Sequence, residues 1–278
     1  MRAYEQAERL ALLFVVDATG SMGPHIQAVK AQITAIVAEM RKTNPAMRLH
    51  LGFLGYRDHT TNGGVAEPRR FEELAFTDDV AAFKVHPHDF ASPSADTLVS
   101  AGGDATVIPA RQHPHDAPSL TPPSPQAFVS AVEARDGGDA PEDVHGALHR
   151  ALQMEWDVGG SMTRVLVHIA DAPCHGTKYH TLSGDSHPGG DPHGLKSAEL
   201  LRGLRQLGVS YTFGRINEST DRMVRLFDEE AGGGYISECD VADCRAITKV
   251  VTATLRASIS HTHDALLGGF RIGGGRAA

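Results

Sequence analysis

A run of seven apolar residues, Leu10 to Val16, most narrowly limits the folds open to this chain. The run has the length of a β-strand and lacks the alternation of a strand with one face in water. It therefore predicts a strand buried on both faces. Similar strand-like segments alternate with amphipathic helical segments along the sequence. This alternation predicts an α/β fold, a doubly wound and mostly parallel central sheet flanked by helices.

The predicted strands share short apolar runs, and the predicted helices share apolar residues at helical spacing on one face. The strands are Leu10–Val16, Leu49–Tyr56, Phe71–Phe76 (a short edge strand), Val165–Ala170, Val209–Phe213 and Tyr235–Ser237. The helices run from Pro24 to about Met40, from Glu142 to about Trp156, and over Gly194–Leu207, Glu218–Glu230 and Val241–Ile259. A chain of 278 residues, 41% of them hydrophobic, can bury one sizeable core. We expect a single domain over residues 1–264, with a Gly-rich, disordered tail at 265–278.

Residues 85–126 interrupt this rhythm, because they hold eight of the chain's fifteen prolines and no apolar period. A structureless loop of this length is unusual inside a compact domain. Removing it joins Val80 and Phe83 to Phe128 and Val129 on one face of an amphipathic helix. We therefore predict a disordered Pro/His-rich insert. Two explanations stay open, a real surface loop and a retained intron in the gene model.

Charge and composition exclude several classes of partner. A net charge of −8 and an isoelectric point near 6.0 provide no basic field for nucleic acid or anionic membranes. The first strand's apolar run is too short to span a bilayer, so we expect no membrane insertion. The N-terminus lacks the profile of a signal peptide. Three cysteines are too few for a disulfide framework, so a cytoplasmic location is expected.

The sequence Asp17-Ala18-Thr19-Gly20-Ser21 is the strongest functional signal, and it follows directly after the first strand. Ligands of open α/β sheets bind outside the carboxyl ends of the strands. One carboxylate and two hydroxyls alternate along this turn, so all three can point at one position. Oxygen ligands of this kind suit a hard cation, so Mg²⁺ is the expected cofactor and Mn²⁺ is also acceptable.

Asp17, Thr19 and Ser21 match the D-x-[ST]-x-S pattern, and the chain thereby resembles von Willebrand factor A (VWFA) domains with a metal-ion-dependent adhesion site. The resemblance covers roughly residues 10 to 260 without the insert. It implies a further metal ligand at the end of the next core strand, which is Asp171 in VLVHIAD. It also implies that the metal binds an Asp or Glu supplied by a protein partner. The alternative role for each aspartate is to cap the turn that follows it.

The resemblance also implies a ligand from the loop before the third long helix, where the family usually has threonine. This chain instead has Gly137-Gly138-Asp139-Ala140-Pro141-Glu142-Asp143. Asp139 is the first candidate for this metal ligand and Glu142 the second. A capping box formed by Asp139 and Glu142 at the helix start is the competing explanation. If Asp139 does bind, three carboxylates would make the metal a weaker electrophile towards the partner's acid.

Several segments are similar to the VWFA domains found beside atypical alpha-kinase catalytic domains. They are DATGSM, GYRD at Gly55–Asp58, GGDAPEDV at Gly137–Val144, DAPCHG at Asp171–Gly176 and YTFGRI at Tyr211–Ile216. No segment of this sequence matches a kinase domain, so only the metal-binding module is carried over. Two interpretations follow from the resemblance, a stand-alone adaptor and the regulatory portion of an alpha-kinase system.

The Gly/Pro-rich loop at 174–194 follows Asp171 and should lie over the same edge of the sheet. Its polar side chains are predicted to shape partner specificity: His175, His180, Asp185 and His187. Together with Cys174 the histidines suggest zinc, but the paired spacing of structural zinc sites is absent. Cys239 and Cys244 match no metal or redox spacing and are predicted to pack in the core.

An enzyme is the less favoured interpretation. Thr19-Gly20-Ser21-Met22-Gly23 approaches the G-x-S-x-G nucleophile elbow, and Asp171 and His175 follow in the order of a serine hydrolase. However, the strained elbow needs glycine where this chain has Thr19. Asp17 would also repel the developing alkoxide of Ser21. No G-x₄-G-K-[ST] phosphate-binding loop is present. The sequence therefore favours a binding module over a hydrolase.

Overall fold

The fold is a six-stranded, Rossmann-like sheet with helices on both faces, described by a computed structural model at residues 9–43, 45–59, 70–78, 128–156, 162–241 and 253. The strands are β1 (Arg9–Asp17), β2 (Arg48–Tyr56), β3 (Phe71–Thr77), β4 (Thr163–Ala170), β5 (Val209–Arg215) and β6 (Ile236–Asp240). The helices are α1 (Ile26–Thr43), α2 (Phe128–Ala131), α3 (Val144–Gln153), α4 (Ser197–Gln206) and α5 (Asp221–Glu230). This architecture confirms the predicted fold class.

The strand order is β3-β2-β1-β4-β5-β6. The antiparallel pairing is that of the edge strand β3 with β2, and the other described strand pairs are parallel. Because the chain moves outward from β1 in both directions, the order of the strands reverses between β1 and β4. In open α/β sheets the crevice at such a point is where ligands bind.

Strand β1 is buried on both faces, as its continuous apolar run predicts. Leu10, Leu12 and Phe14 pack with α1 in one core, whereas Leu13 and Val15 pack with α3, α4 and α5 in the other. This arrangement makes β1 the centre of the domain. It also fixes where Asp17 emerges, at the strand's carboxyl end beside β2 and β4.

Several element boundaries differ from the predictions by a few residues, and two of the differences have a clear cause. Helix α3 ends at Gln153, and Trp156 lies beyond it, where its indole donates a 2.8 Å hydrogen bond to the Ala151 carbonyl. Helix α4 begins at Ser197, three residues later than predicted, because Asp191 Oδ1 accepts the Leu195 amide at 3.0 Å and holds the preceding segment as a turn. Among the described helices, none has the length and apolar character needed to cross a membrane.

Several predictions fall outside the described residues. They concern the insert at 85–126, the tail at 265–278, nearly all of the helix predicted at 241–259, the first half of the helix that would join Val80 to Val132, and Cys244. The predicted single domain over 1–264 is likewise described only in part.

Candidate metal site

The turn after β1 arranges its oxygen atoms through hydrogen bonds of its own. Asp17 Oδ1 accepts the Thr19 amide at 2.9 Å and the Thr19 hydroxyl at 2.6 Å. The Thr19 and Ser21 hydroxyl oxygens lie 3.1 Å apart. Asp17 and Thr19 are buried, whereas Ser21 is exposed. The turn therefore presents one hydroxyl to solvent above a buried carboxylate.

Asp171 joins this turn from the neighbouring strand. It follows β4, which pairs in parallel with β1, so the two strands end at the same edge of the sheet. The Ser21 hydroxyl donates a 2.8 Å hydrogen bond to Asp171 Oδ1. The structure thus brings Asp171 together with Asp17, Thr19 and Ser21. Ser21 and Asp171 are 150 residues apart in the sequence.

A third segment, residues 135–142, is attached to the same turn through the backbone. The Arg135 amide donates to the Ala18 carbonyl at 3.0 Å, and the Gly20 amide donates to the Asp136 carbonyl at 2.9 Å. Gly137 then adopts a φ of 98°, which favours glycine. A Cβ at Gly137 would lie 3.2 Å from Glu142 Oε1 and 3.5 Å from Thr19 Cβ. The missing side chain therefore lets Glu142 approach the Asp17–Ser21 turn.

Glu142, the second choice in the sequence analysis, is the carboxylate that this third segment brings to the turn. It is buried, and its pKa is raised well above the usual value, first by burial and then by the negative charge of Asp17. Asp139 lies in a different group. Its Oδ2 accepts the Ser186 amide at 2.5 Å, and one carboxylate oxygen lies within 4.8 Å of ligand atoms of His175 and Asp185.

The capping box, the competing explanation for Asp139 and Glu142, is wrong. Asp143 caps α3, and its Oδ1 accepts the Gly146 amide at 2.7 Å. Glu142 pairs instead with the loop after β4, since its amide donates to the Pro173 carbonyl at 2.9 Å. Neither the Asp139 nor the Glu142 side chain therefore caps the helix, although the Glu142 carbonyl accepts the Val144 amide at 2.8 Å.

The residues fit a cation. Asp17 Oδ2 and Glu142 Oε2 are buried and have no hydrogen-bond partner. Buried polar atoms in native proteins nearly always have one, so each of these atoms requires an explanation. Burial, and next the charge of Asp171, raise the pKa of Asp17 to about 7. A divalent ion would satisfy the unpaired oxygens and offset the repulsion among the carboxylates.

The loop at 174–194 is fixed over this edge by a buried imidazole. His175 Nε2 lies 2.7 Å from Asp58 Oδ1, and His175 Nδ1 lies 2.8 Å from Asp185 Oδ1. Although burial opposes protonation, the hydrogen bonds to both carboxylates raise the pKa of His175 to about 9. Protonated His175 therefore donates from both ring nitrogens and links the loop to the end of β2.

Contacts within the loop engage several of the predicted partner-binding residues. His175 and His180 are buried and pair with Asp185, which also accepts the His187 amide at 2.8 Å. Direct contact of His175 or His180 with a partner would require this loop to open. Their contribution to partner specificity stays a prediction, and in the described structure they hold the shape of the loop.

The zinc group suggested by the sequence is not assembled. Cys174 is buried in the apolar core, its amide faces the Met223 sulfur at 3.1 Å, and burial raises the pKa of its thiol well above the usual value. Cys239 is also buried, as predicted. The serine hydrolase geometry is not assembled either, because both ring nitrogens of His175 are engaged by Asp58 and Asp185.

A group of polar residues beneath and within this loop was not predicted from the sequence. His59 follows Asp58 at the end of β2, Asp143 caps α3, and Asp191 lies in the 174–194 loop. The available signal was the position of His59 at the carboxyl end of a buried strand. Its partners could not be found from spacing, because they are more than 80 residues away.

Part of a known protein resembles this chain in sequence. No protein-family model matches the chain. The alpha-protein kinase vwkA of Dictyostelium discoideum is 31% identical over 230 residues. This chain is similar to part of a kinase. The matched segment covers 82% of the chain but only 29% of the Dictyostelium protein.

Solved structures agree on the fold. The pilus adhesin SpaC of Lactobacillus rhamnosus GG, in an open conformation, gives a TM-score of 0.51 at 11% identity. The match covers 92% of this chain and 30% of SpaC. A second crystal structure of SpaC gives a TM-score of 0.50 with 31% of SpaC covered. At this level of identity the likeness supports the α/β architecture alone.

Proposed function

We propose that this chain is a VWFA-type module that binds a protein partner through Mg²⁺. The observation that carries the proposal is the meeting of Asp17, Thr19, Ser21 and Asp171 at one sheet edge, with a buried, unpaired oxygen on Asp17. All of these ligand atoms are oxygens, which favours Mg²⁺ over softer metals, with Mn²⁺ as an acceptable substitute. Glu142 replaces Asp139 in this proposal as the carboxylate from the third segment.

In the proposed mechanism, buried and exposed residues bind the metal in different ways. Asp17 and Asp171 would hold the cation, and the Ser21 hydroxyl, at the exposed side, would release its hydrogen bond to Asp171 and turn to the metal. The bound ion would supply one open coordination position for an Asp or Glu of the partner. A carboxylate held in this way is stable only when its remaining hydrogen bonds are completed. The surrounding loops would therefore decide which partner is accepted.

A regulatory role beside an alpha-kinase is the second candidate, and the match to vwkA favours it. The chain spans less than a third of that protein, so the kinase activity in its name is not transferred. In this version the same metal site would recruit a substrate or an adaptor for a catalytic domain. We propose no catalytic activity for the chain itself. A cytoplasmic location also stays a prediction, supported only by the free thiols of Cys174 and Cys239.

The metal is tested on the purified chain. Isothermal titration with Mg²⁺, after removal of metal by EDTA, should show one binding event in the wild type. Asp17→Ala should abolish this event because it removes the buried carboxylate, whereas Asp221→Asn, an exposed aspartate on α5, should leave it unchanged. Circular dichroism spectra would establish that the variants are folded. Equal Mg²⁺ binding by wild type and folded Asp17→Ala would overturn the proposal.

Partner capture is tested separately. The immobilised chain is exposed to lysate with Mg²⁺ or with EDTA, and retained proteins are quantified by mass spectrometry. Specific partners should be lost with EDTA and also lost from Asp17→Ala in Mg²⁺. Replacing the partner's Asp and Glu residues one at a time should then identify the carboxylate that binds. Partners retained equally under all three conditions would contradict a metal-dependent mechanism.

A further inference from the structure

A second polar group lies behind the 174–194 loop and takes no part in the proposed Mg²⁺ site. It consists of His59, Asp143 and Asp191, whose ligand atoms lie within 4.8 Å of one another. The side chains of His59, Asp143 and Asp191 are 5%, 0% and 0% exposed. Three separate segments supply them, the end of β2, the cap of α3 and the loop.

Each member of this group has a buried atom that makes no hydrogen bond, although Asp143 Oδ2 forms an ion pair with Arg70 Nε at 3.4 Å. His59 Nε2, Asp143 Oδ2 and Asp191 Oδ2 have no hydrogen-bond partner. The neighbouring groups are different, since the nitrogens of His175 already bind Asp58 and Asp185. Among the described residues, the His59 group is the one of the three possible metal-binding groups in which every member has such an atom.

The two distances from His59 to the aspartates match those around a tetrahedral metal. His59 Nε2 lies 3.4 Å from Asp143 Oδ1 and 3.5 Å from Asp191 Oδ2. These separations are too long for hydrogen bonds. Asp143 Oδ1 also accepts the Gly146 amide, and the Asp143 oxygen without a hydrogen bond is Oδ2. Ligands bound at about 2.0–2.1 Å in a tetrahedron are separated by about 3.3–3.4 Å. One imidazole with two carboxylates is also a donor set that Zn²⁺ accepts and that Mg²⁺ does not prefer.

We propose that His59, Asp143 and Asp191 form a binding site for Zn²⁺ or a similar transition-metal ion. His59 Nε2 and one oxygen from each aspartate supply three ligands, and water fills the fourth position. Asp191 also lines a surface cavity of about 510 Å³. Bound zinc would tie the loop that covers the sheet edge to both β2 and α3.

Arg70 provides the competing explanation and a way to test it. Its Nε lies 3.4 Å from Asp143 Oδ2, and its Nη1 lies 3.2 Å from His59 Nδ1. Zinc on Nε2 would place the imidazole proton on Nδ1, so the guanidinium would have to turn away. The Arg70 side chain is 30% exposed and can reach solvent. If zinc is the natural cation, Arg70 is dispensable for metal binding.

The experiment uses the whole chain, stripped of metal and then held in excess Mg²⁺ so that the first site is saturated. Zn²⁺ is titrated against a chromophoric chelator, and Co²⁺ is added in parallel because its visible spectrum reports tetrahedral geometry. The wild type should bind one tight equivalent of Zn²⁺ and give a tetrahedral Co²⁺ spectrum. Asp191→Asn should lose both signals. Asp221→Asn, the matched control, should retain them.

Three further variants separate the possible outcomes. His59→Gln should lose the zinc equivalent as well, which covers the case in which Asp191→Asn fails to fold. Arg70→Met should bind zinc at least as tightly as the wild type. Asp17→Ala should keep zinc while losing Mg²⁺, so failure of the two proposals can be distinguished. No tight zinc equivalent in the wild type, or an undiminished one in folded Asp191→Asn, would overturn this inference.

Discussion

The bridge from His175 to Asp58 and Asp185 leads to a quantitative prediction about stability. The imidazole is 1% exposed, and its pKa is about 9 in the folded chain against an ordinary value of 6.5. A difference of this size corresponds to about 3 kcal/mol of folding free energy. Removing one partner of a buried ion pair gives a similar figure of about 3–5 kcal/mol. His175→Gln should therefore lower the free energy of unfolding by about 3 kcal/mol at pH 6.

The sign of the pH dependence follows from the raised pKa. The folded state binds the proton more tightly than the unfolded state, so the stabilisation is complete below about pH 6.5 and is lost as pH rises through about 9. The difference between wild type and His175→Gln should thus shrink strongly by pH 9.5. Urea denaturation of both proteins in EDTA, at pH 6 and pH 9.5, measures this difference in the free energy of unfolding. An equal difference at the two pH values would refute the argument that His175 is held as a cation.

Three other predictions concern substitutions of single residues. Tyr211→Phe should lower the free energy of unfolding by about 1–3 kcal/mol, because it removes the hydroxyl that lies 2.7 Å from His168 Nδ1 and leaves this nitrogen unpaired in the core. Urea denaturation measures the change, and an unchanged midpoint would contradict the prediction. Asp228→Ala should lower the free energy of unfolding by about 1–3 kcal/mol, because Asp228 accepts hydrogen bonds from the amides of Gly234, Tyr235 and Ile236. Asp221→Asn is the neutral control. Equal melting temperatures for Asp228→Ala and the wild type would refute the prediction. Glu142→Gln should weaken Mg²⁺ binding in calorimetry more than Asp139→Asn; the reverse order would return the ligand role to Asp139.

Most of the fold could be predicted because its signals are local. The run of apolar residues in β1 reflects burial on both faces, and the 3.6-residue period of α1 reflects burial on one face. Helix starts were less accurate because side chains decide them. Asp143, and not Asp139, caps α3. The hydrogen bond from the Leu195 amide to Asp191 keeps the residues before Ser197 in a turn, so α4 begins later than predicted.

The candidate metal site was predictable for a similar reason. Asp17 and Asp171 each follow a buried strand, and parallel neighbours must end at the same edge of the sheet. The choice between Asp139 and Glu142 was not predictable, because both lie in one loop and its path depends on the backbone turn at Gly137. The burial of His175 and the grouping of His59 with Asp191 depend on contacts between distant segments, which residue spacing does not encode.

The proposed metal site is tested most directly by the anomalous scattering of Mn²⁺ in crystals grown with that ion in place of Mg²⁺. We predict a peak between Ser21 and Asp171, at coordination distance from the Ser21 hydroxyl oxygen, in place of their present 2.8 Å hydrogen bond. Asp17 should lie in the same coordination shell, directly or through water. Crystals saturated with Mn²⁺ that show no peak there, and that keep the hydrogen bond between Ser21 and Asp171, would contradict metal binding at this site.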